Sequence, residues 1–370
     1  MNNKIRVIHL IPNLGIGGAE RVLVNICNKI DKTKFDLTVL YWGDDESLLP
    51  QLKATEVNII RLNTKKIISL DLIFKIAKIL KNSSADILHT HFMDSDFLGF
   101  CAAFLTRTPM ICHIHTHHPF LEVIRHRIRY FFMAFFIKKF ICVSEKVSQY
   151  FLESTKINRR KVEVIYNGIQ IDQRFENKGK LFSNQLKVSL GINLEHAVIG
   201  NVSRMVPIKG QKYILTAIPK ILKIYPKTSF LFVGDGKSRA ELEKLTDELN
   251  IRNNVIFTGI RFDIPELLNV IDIFILSSFY EAMGLVIVEA MAAGKPIIAT
   301  EDAVSELITP DEDGILIPSH NSDAIADSTL KLMNAPDLCE KIGQRAKQKA
   351  LRFSDDKMVE QIQALYEKIR

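Results

Sequence analysis

Glu281 and Glu289 are two carboxylates eight positions apart in the stretch SSFYEAMGLVIVEAMAAG, residues 277–294. The first belongs in a loop after a buried strand. The second lies in an almost wholly apolar helix, where an unpaired carboxylate costs several kcal/mol and so demands a partner. Vicinal ribose hydroxyls are suitable donors to it; a neighbouring backbone N–H is the plainer alternative. The amides of Met283, Gly284 and Leu285, free at the helix start, offer donors to a sugar or phosphate. Upstream, Arg204 leaves a strand and Lys209 opens the next helix. A guanidinium fork and an ammonium point charge together suffice to neutralise a diphosphate without a metal, although solvated surface charge fits the same residues.

Three glycine sites accompany these charges. Asn13-Leu14-Gly15-Ile16-Gly17-Gly18-Ala19-Glu20 follows the first strand, and its helix start can hold an anion at Gly17 and Gly18, or be only a tight turn. A dinucleotide fingerprint needs glycine where Glu20 stands, which disfavours a nicotinamide dehydrogenase. Val233-Gly234-Asp235-Gly236 closes a later strand, either as a turn or as a point where backbone approaches a ligand. Phe257-Thr258-Gly259 closes another.

The elements that must position these residues are short apolar runs alternating with helix-length segments, the pattern of parallel sheets covered on both faces. Strands are predicted at residues 5–11, 36–41, 57–62, 87–90, 109–115, 139–143 and 162–166, then at 197–202, 229–233, 254–258, 271–276, 296–300 and 314–317. The fold class is therefore α/β: two facing Rossmann-like, doubly wound parallel-sheet domains. The 370 residues divide into 1–172, 173–354 and a C-terminal helix at 355–370 that packs back toward the first domain. Ligands bind outside the carboxyl ends of such strands, so function is expected in a cleft between the two.

With 47% hydrophobic and 25% charged residues, the chain has the makeup of a folded soluble protein. No uncharged apolar stretch approaches the roughly 20 residues of a membrane span. The amino terminus, interrupted by Lys4, Arg6 and His9, reads as a first strand and not as a secretion signal. Five scattered cysteines without a C-x-x-C pair argue for a reducing, cytoplasmic location. Residues 1–172 carry 24 Lys and Arg against 16 Asp and Glu (+8), the remainder 25 against 26 (−1). Such a basic half attracts anionic surfaces. Within it, residues 125–139 (RHRIRYFFMAFFIKK) bracket aromatic residues with cations, which suits peripheral contact with an anionic membrane or, equally, a core helix with solvated ends.

Eight of ten histidines precede residue 127, with His113, His115, His117 and His118 at one strand end. Alternating strand residues face opposite ways and no cysteine or carboxylate completes a ligand set, so polar lining is preferred to zinc and no metal is assigned. Asp94-Ser95-Asp96 reads as N-cap chemistry.

Taken with Cys112-His113-Ile114-His115-Thr116 and Tyr166-Asn167-Gly168-Ile169, these motifs resemble the retaining family 4 glycosyltransferases of GT-B fold, of the bacterial capsular, exopolysaccharide or lipopolysaccharide type, over essentially the whole chain. The resemblance implies that Arg204 and Lys209 bind the donor diphosphate, Glu289 the ribose, Glu281 the transferred sugar and the Gly259 region the base, with His115 lining the sugar pocket. The family usually has glycine after the first glutamate and often proline two places later, where this chain has Ala282 and Gly284. The implied substrate is a UDP- or GDP-sugar, with no cofactor and no nucleic acid; the acceptor is a glycan or lipid-linked saccharide, and the reaction retains anomeric configuration. The alternatives are a nucleotide-sugar epimerase of similar architecture and a noncatalytic glycan-binding protein.

Overall fold

The computed structural model describes residues 4–64, 69–116 and 123–370. His117 and His118 lie outside the described residues. The chain divides into two compact units, residues 1–170 with 354–370, and residues 171–353.

In the first unit β1 (Ile5–Leu10), β2 (Phe35–Tyr41), β3 (Asn58–Arg61), β4 (Ile87–His91), β5 (Met110–Ile114), β6 (Lys139–Cys142) and β7 (Val162–Val164) form one sheet in the order β3-β2-β1-β4-β5-β6-β7. The second unit repeats the plan with β8 (Ala197–Val202), β9 (Thr228–Val233), β10 (Val255–Gly259), β11 (Ile273–Leu276), β12 (Ile297–Thr300) and β13 (Ile315–Ile317), in the order β10-β9-β8-β11-β12-β13. Every pairing is parallel. The central strands are mostly apolar and buried on both faces: every residue of β5, β9 and β12 is buried. That is what a helix layer on each side requires. Predicted strand limits agree with these to within two residues.

Several helix starts are set by one side chain. Ser69, Ser144, Asn321 and Ser354 each accept a hydrogen bond from the amide three residues on, meeting one of the donors a helix leaves open. Asp94 and Asp96 do not act this way. The helix Met93–Thr106 is preceded by Phe92 at φ 72°, with no side-chain cap. Asp96 is instead buried, accepting from Thr90 Oγ1 at 2.5 Å and Tyr130 OH at 2.6 Å, and burial pushes its carboxyl up to about 6. The N-cap expectation fails because the first-turn carboxylate at Asp96 faces the sheet, where β4 and the helix Ile124–Met133 supply closer donors than the helix start does.

The last helix, Asp355–Ile369, buries Met358, Ile362, Leu365 and Tyr366 in the first unit. Its seat is the segment after β7. Asp355 N–H donates to Ile169 O at 2.9 Å, Gly168 N–H meets Met358 Sδ at 3.1 Å, and Asn25 Nδ2 donates to Gly168 O at 3.1 Å. A Cβ on Gly168 would lie 2.5 Å from Asp355 N and Cα. These are backbone atoms that cannot swing aside, so Gly168→Ala should cost about 1–3 kcal/mol of stability by forcing the helix start outward. An unchanged urea midpoint for that variant would refute this account of the glycine.

Candidate active site

In each sheet the connections reverse direction between two neighbouring strands, β1 and β4 in the first unit, β8 and β11 in the second. Loops leaving such a pair diverge to opposite faces and open a crevice at the strand ends. The sequence-selected charges of the second unit stand at that point.

Two hydrogen bonds zip the loops after β8 and β11 together. Phe279 N–H donates to Ile208 O at 2.8 Å, and Ser277 Oγ donates to Lys209 O at 2.9 Å. Gly210, at φ 65°, makes the approach possible, because a side chain there would overlap Ser277 O. Lys209 Nζ then meets Glu281 Oε1 at 2.6 Å, and Ser278 Oγ donates to the same oxygen at 2.7 Å. The Lys209 and Glu281 side chains are only 14% and 13% exposed, so their attraction is weakly screened. Ser278 is itself held by Thr300 Oγ1, which donates to its carbonyl.

Arg204 differs from Lys209 in being exposed, and its guanidinium has no ion-pair partner among the described residues. Its loop is anchored from behind. Gln211 Nε2 donates to Ser203 Oγ at 2.8 Å and to Arg204 O at 2.9 Å, while Met205 N–H donates to Asp235 O at 2.8 Å. The glycines after β9 serve this packing. A Cβ on Gly234 would overlap Ser203 O, and one on Gly236 would overlap Met205 O. Gly234 N–H also donates to Gly259 O at 2.8 Å, tying the ends of β9 and β10. What approaches closely at these glycines is the loop that carries Arg204.

Gly284, at φ 76°, starts the helix Leu285–Ala292 as its N-cap without a side-chain cap, so the first amides of that helix lack an intrahelical acceptor. Glu289 is half-buried on this helix and has an interaction partner. Arg204, Lys209, Gly234, Gly259, Glu281, Met283, Gly284, Leu285 and Glu289 all belong to the second unit; Gly17, Gly18 and His115 belong to the first. Sequence reasoning passed over Ser278, Gly210, Gln211 and Thr300. Their role is to hold other residues, and the only local trace is Ser278 three positions before Glu281.

In the first unit Gly17 is the N-cap of the helix Gly18–Lys29, in extended backbone. The Glu20 carboxylate folds back onto it, so closely that a Cβ on Gly17 would overlap Oε2. This helix start thus already faces a negative group. His115 follows β5 and is half-buried, its Nε2 2.9 Å from His91 Nδ1.

His115 is the outermost ring of a larger array. His9 of β1, His89 and His91 of β4, and His113 of β5 are inaccessible and share one face of the sheet, neighbouring centroids lying 4.0 to 5.4 Å apart. The expectation that strand alternation would scatter the histidines fails here. All five have the parity that projects to the same side, and the register of three adjacent strands brings them level. Burial lowers His9 and His115 to about 3, and lowers His89, His91 and His113 well below 6.5 with help from mutual repulsion. In the unfolded chain these rings titrate near 6.5. Below that pH the unfolded state therefore binds more protons, so stability is present above about 6.5 and lost as pH falls toward 3. Asp96, whose pKa is raised, contributes one proton of opposite sign between about 4 and 6. Urea unfolding from pH 7.5 to 5 should show a falling midpoint with about two or more protons taken up on unfolding, and His89→Phe should reduce that number by about one. A flat profile would contradict neutral, buried imidazoles.

Residues 16–173 match the model of Glycosyltransferase Family 4, and residues 182–349 match that of Glycosyl transferases group 1. The UDP-Gal:alpha-D-GlcNAc-diphosphoundecaprenol alpha-1,3-galactosyltransferase of Escherichia coli is 26% identical over 348 residues, covering 90% of this chain and 88% of that protein. The crystal structure of Anabaena Alr3699/HepE in complex with UDP and glucose superimposes with a TM-score of 0.88 at 24% identity, covering 98% of this chain and 100% of that one. WaaG, a glycosyltransferase involved in lipopolysaccharide biosynthesis, superimposes with a TM-score of 0.73 at 18% identity, over 97% and 99% of the two chains. The chain is a glycosyltransferase of GT-B fold, joining a family 4 amino-terminal region to a group 1 carboxy-terminal region and related to enzymes of bacterial glycan biosynthesis.

Proposed function

We propose that this enzyme moves a sugar from a nucleotide diphosphate donor to a hydroxyl of a growing, lipid-linked bacterial surface glycan, with retention of anomeric configuration. The observation that carries the reading is the Lys209–Glu281 pair at the sheet's reversal point, with Arg204 free on the adjoining loop. Negative charge grows on the leaving diphosphate as the glycosidic bond breaks. Arg204, Lys209 and the amides of Met283, Gly284 and Leu285 stabilise it in place of a divalent ion. The departing phosphate oxygen takes the proton of the attacking hydroxyl on the same face of the sugar, so no covalent enzyme intermediate forms. Glu281 orients hydroxyls of the transferred sugar, Glu289 accepts from the ribose, and the loop at Gly259 meets the base. The UDP in the names of two similar proteins favours uridine over guanosine.

The first unit takes the acceptor in this reading, and His115 lines the sugar pocket. Support comes from a cavity of about 950 Å³ lined by Asn13, Trp42, Asp44, Arg61, Asp71 and Lys75, among which are both donors and acceptors for sugar hydroxyls. An acceptor on lipid brings the enzyme to a membrane surface. No helix among the described residues is long and apolar enough to cross one. The helix Ile124–Met133 and the turn after it instead expose Ile124, Ile128, Phe132 and Phe135 at 50–76%, beside the cations Arg125 and Lys138. Apolar side chains ringed by positive charge suit the boundary of anionic headgroups and acyl chains. Co-sedimentation with phosphatidylglycerol vesicles should fall at least about fivefold for Phe132→Ser with Phe135→Ser. Equal recovery of both proteins in the supernatant would remove the membrane from this reading.

Incubation with UDP- and GDP-sugars, with and without lipid-linked acceptor, tests the whole. Transfer only when acceptor is present is the expected outcome. Isomerised donor without acceptor would identify an epimerase, and no turnover a glycan-binding protein. Arg204→Ala should lower kcat/KM by about 10²-fold or more. Glu281→Gln keeps the shape of the Ser278 contact and releases the Lys209 charge. It should bind UDP at least as tightly as the parent in calorimetry while turnover drops about 10²-fold. Parental turnover in either variant would sink the assignment of that residue.

A further inference from the structure

The histidine array is not consumed by the transfer reaction, and its two ends differ. At the inner end a hydrogen-bonded chain runs through Tyr366 to His89, whose Nε2 is the one ring nitrogen there without a partner. His91 Nε2 lies 3.0 Å from His9 Nδ1, His9 Nε2 lies 3.3 Å from Tyr366 OH, and Tyr366 OH lies 2.6 Å from His89 Nδ1. At the outer end it is open: both nitrogens of the fully buried His113, and Nδ1 of His115, have no hydrogen-bond partner. Buried polar atoms without partners are costly, and two rings stacked with centroids 4.0 Å apart at one strand end concentrate that cost.

We infer that His91, His113 and His115 form a binding site for one divalent transition-metal ion of the Zn²⁺ type. Each ring offers one nitrogen, and the three nitrogens lie within 4.8 Å of one another. A tetrahedral ion with nitrogens at about 2.0–2.1 Å spaces its ligands by roughly 3.3 Å, so shifts of about an ångström at the side chains close the set. His91 is oriented through its other nitrogen, as metal-bound imidazoles are. With Nδ1 on the metal, its Nε2–H donates to His9, whose ring is fixed in turn by Tyr366. Access and a fourth position come from a cavity of about 230 Å³ lined by Phe92, Asp94, His113, His115, Thr116 and Tyr130. Three imidazoles select Zn²⁺, Co²⁺, Ni²⁺ or Cu²⁺ over Mg²⁺ and Ca²⁺, which take oxygen ligands. The site does not depend on the donor assignment above. An ion there would occupy His115, and so would inhibit a reaction that needs this ring.

The test is metal binding by the full, untagged, nucleotide-free chain after chelator treatment and desalting. Titration with Co²⁺ should give one ion per chain with visible d–d bands that Zn²⁺ displaces and Mg²⁺ does not. His113→Phe, which keeps a stacked ring and removes both nitrogens, should weaken binding by more than about tenfold with unchanged far-UV circular dichroism, whereas His196→Ala should leave it unaltered. Absence of saturable uptake, or parental affinity in His113→Phe, would overturn the site and leave a chain of neutral imidazoles. Where His113→Phe fails to fold, parental crystals soaked in Zn²⁺ decide. An anomalous peak among the three rings supports the site, and a peak elsewhere or none overturns it.

Discussion

Parallel strands joined by crossovers expose all their carboxyl ends on one side, and where successive crossovers take opposite faces two neighbouring loops have nothing between them. That gap is the constraint on which the rest of this molecule depends. In the second unit it falls between β8 and β11, whose sheet neighbours are themselves fully buried. The rigid layer beneath lets two loops be tied by only two hydrogen bonds and still fix Lys209 against Glu281. A site built this way tolerates changes in loop chemistry while the sheet stays constant.

The charges at that gap are unequal in a way that suits an anionic ligand. Lys209 is compensated and nearly buried, so it is already positioned and desolvated before anything binds. Arg204 is exposed and unpaired among the described residues, with its backbone clamped by Gln211 and by the β9 loop. A ligand therefore meets one preorganised charge and one adaptable one. In the proposed reaction a diphosphate at Lys209 draws that side chain from Glu281 and leaves the carboxylate to hydroxyl groups, so that binding and sugar orientation are coupled through one ion pair.

The first unit uses the same topology with different contents. At the start of its first helix the Glu20 carboxylate covers Gly17, so an acid stands where the second unit presents cations. On the sheet beneath, five imidazoles replace aliphatic side chains, and the final helix supplies Tyr366 to their inner hydrogen bonds. Chain segments hundreds of residues apart thus share one polar core.

Much of this was written locally. Strand positions were legible because runs such as Ile297–Thr300 are short and largely apolar between turn residues. Glu281, Lys209 and Arg204 were legible because charged residues beside buried strands need a reason. What stayed illegible has one cause. The function of a residue such as Gly234, Gly168 or Asp96 is defined by an atom distant in sequence: Ser203 O, the Asp355 backbone, Tyr130 OH. The histidine array is the extreme case, since rings from three strands align only once β-sheet register is set. Period-two and helical patterning determined which elements this chain forms and which end of each strand bears chemistry. Which side chains meet there was decided by tertiary structure, because hydrogen bonds and ion pairs act over about 3 Å and only packing brings distant residues within that range.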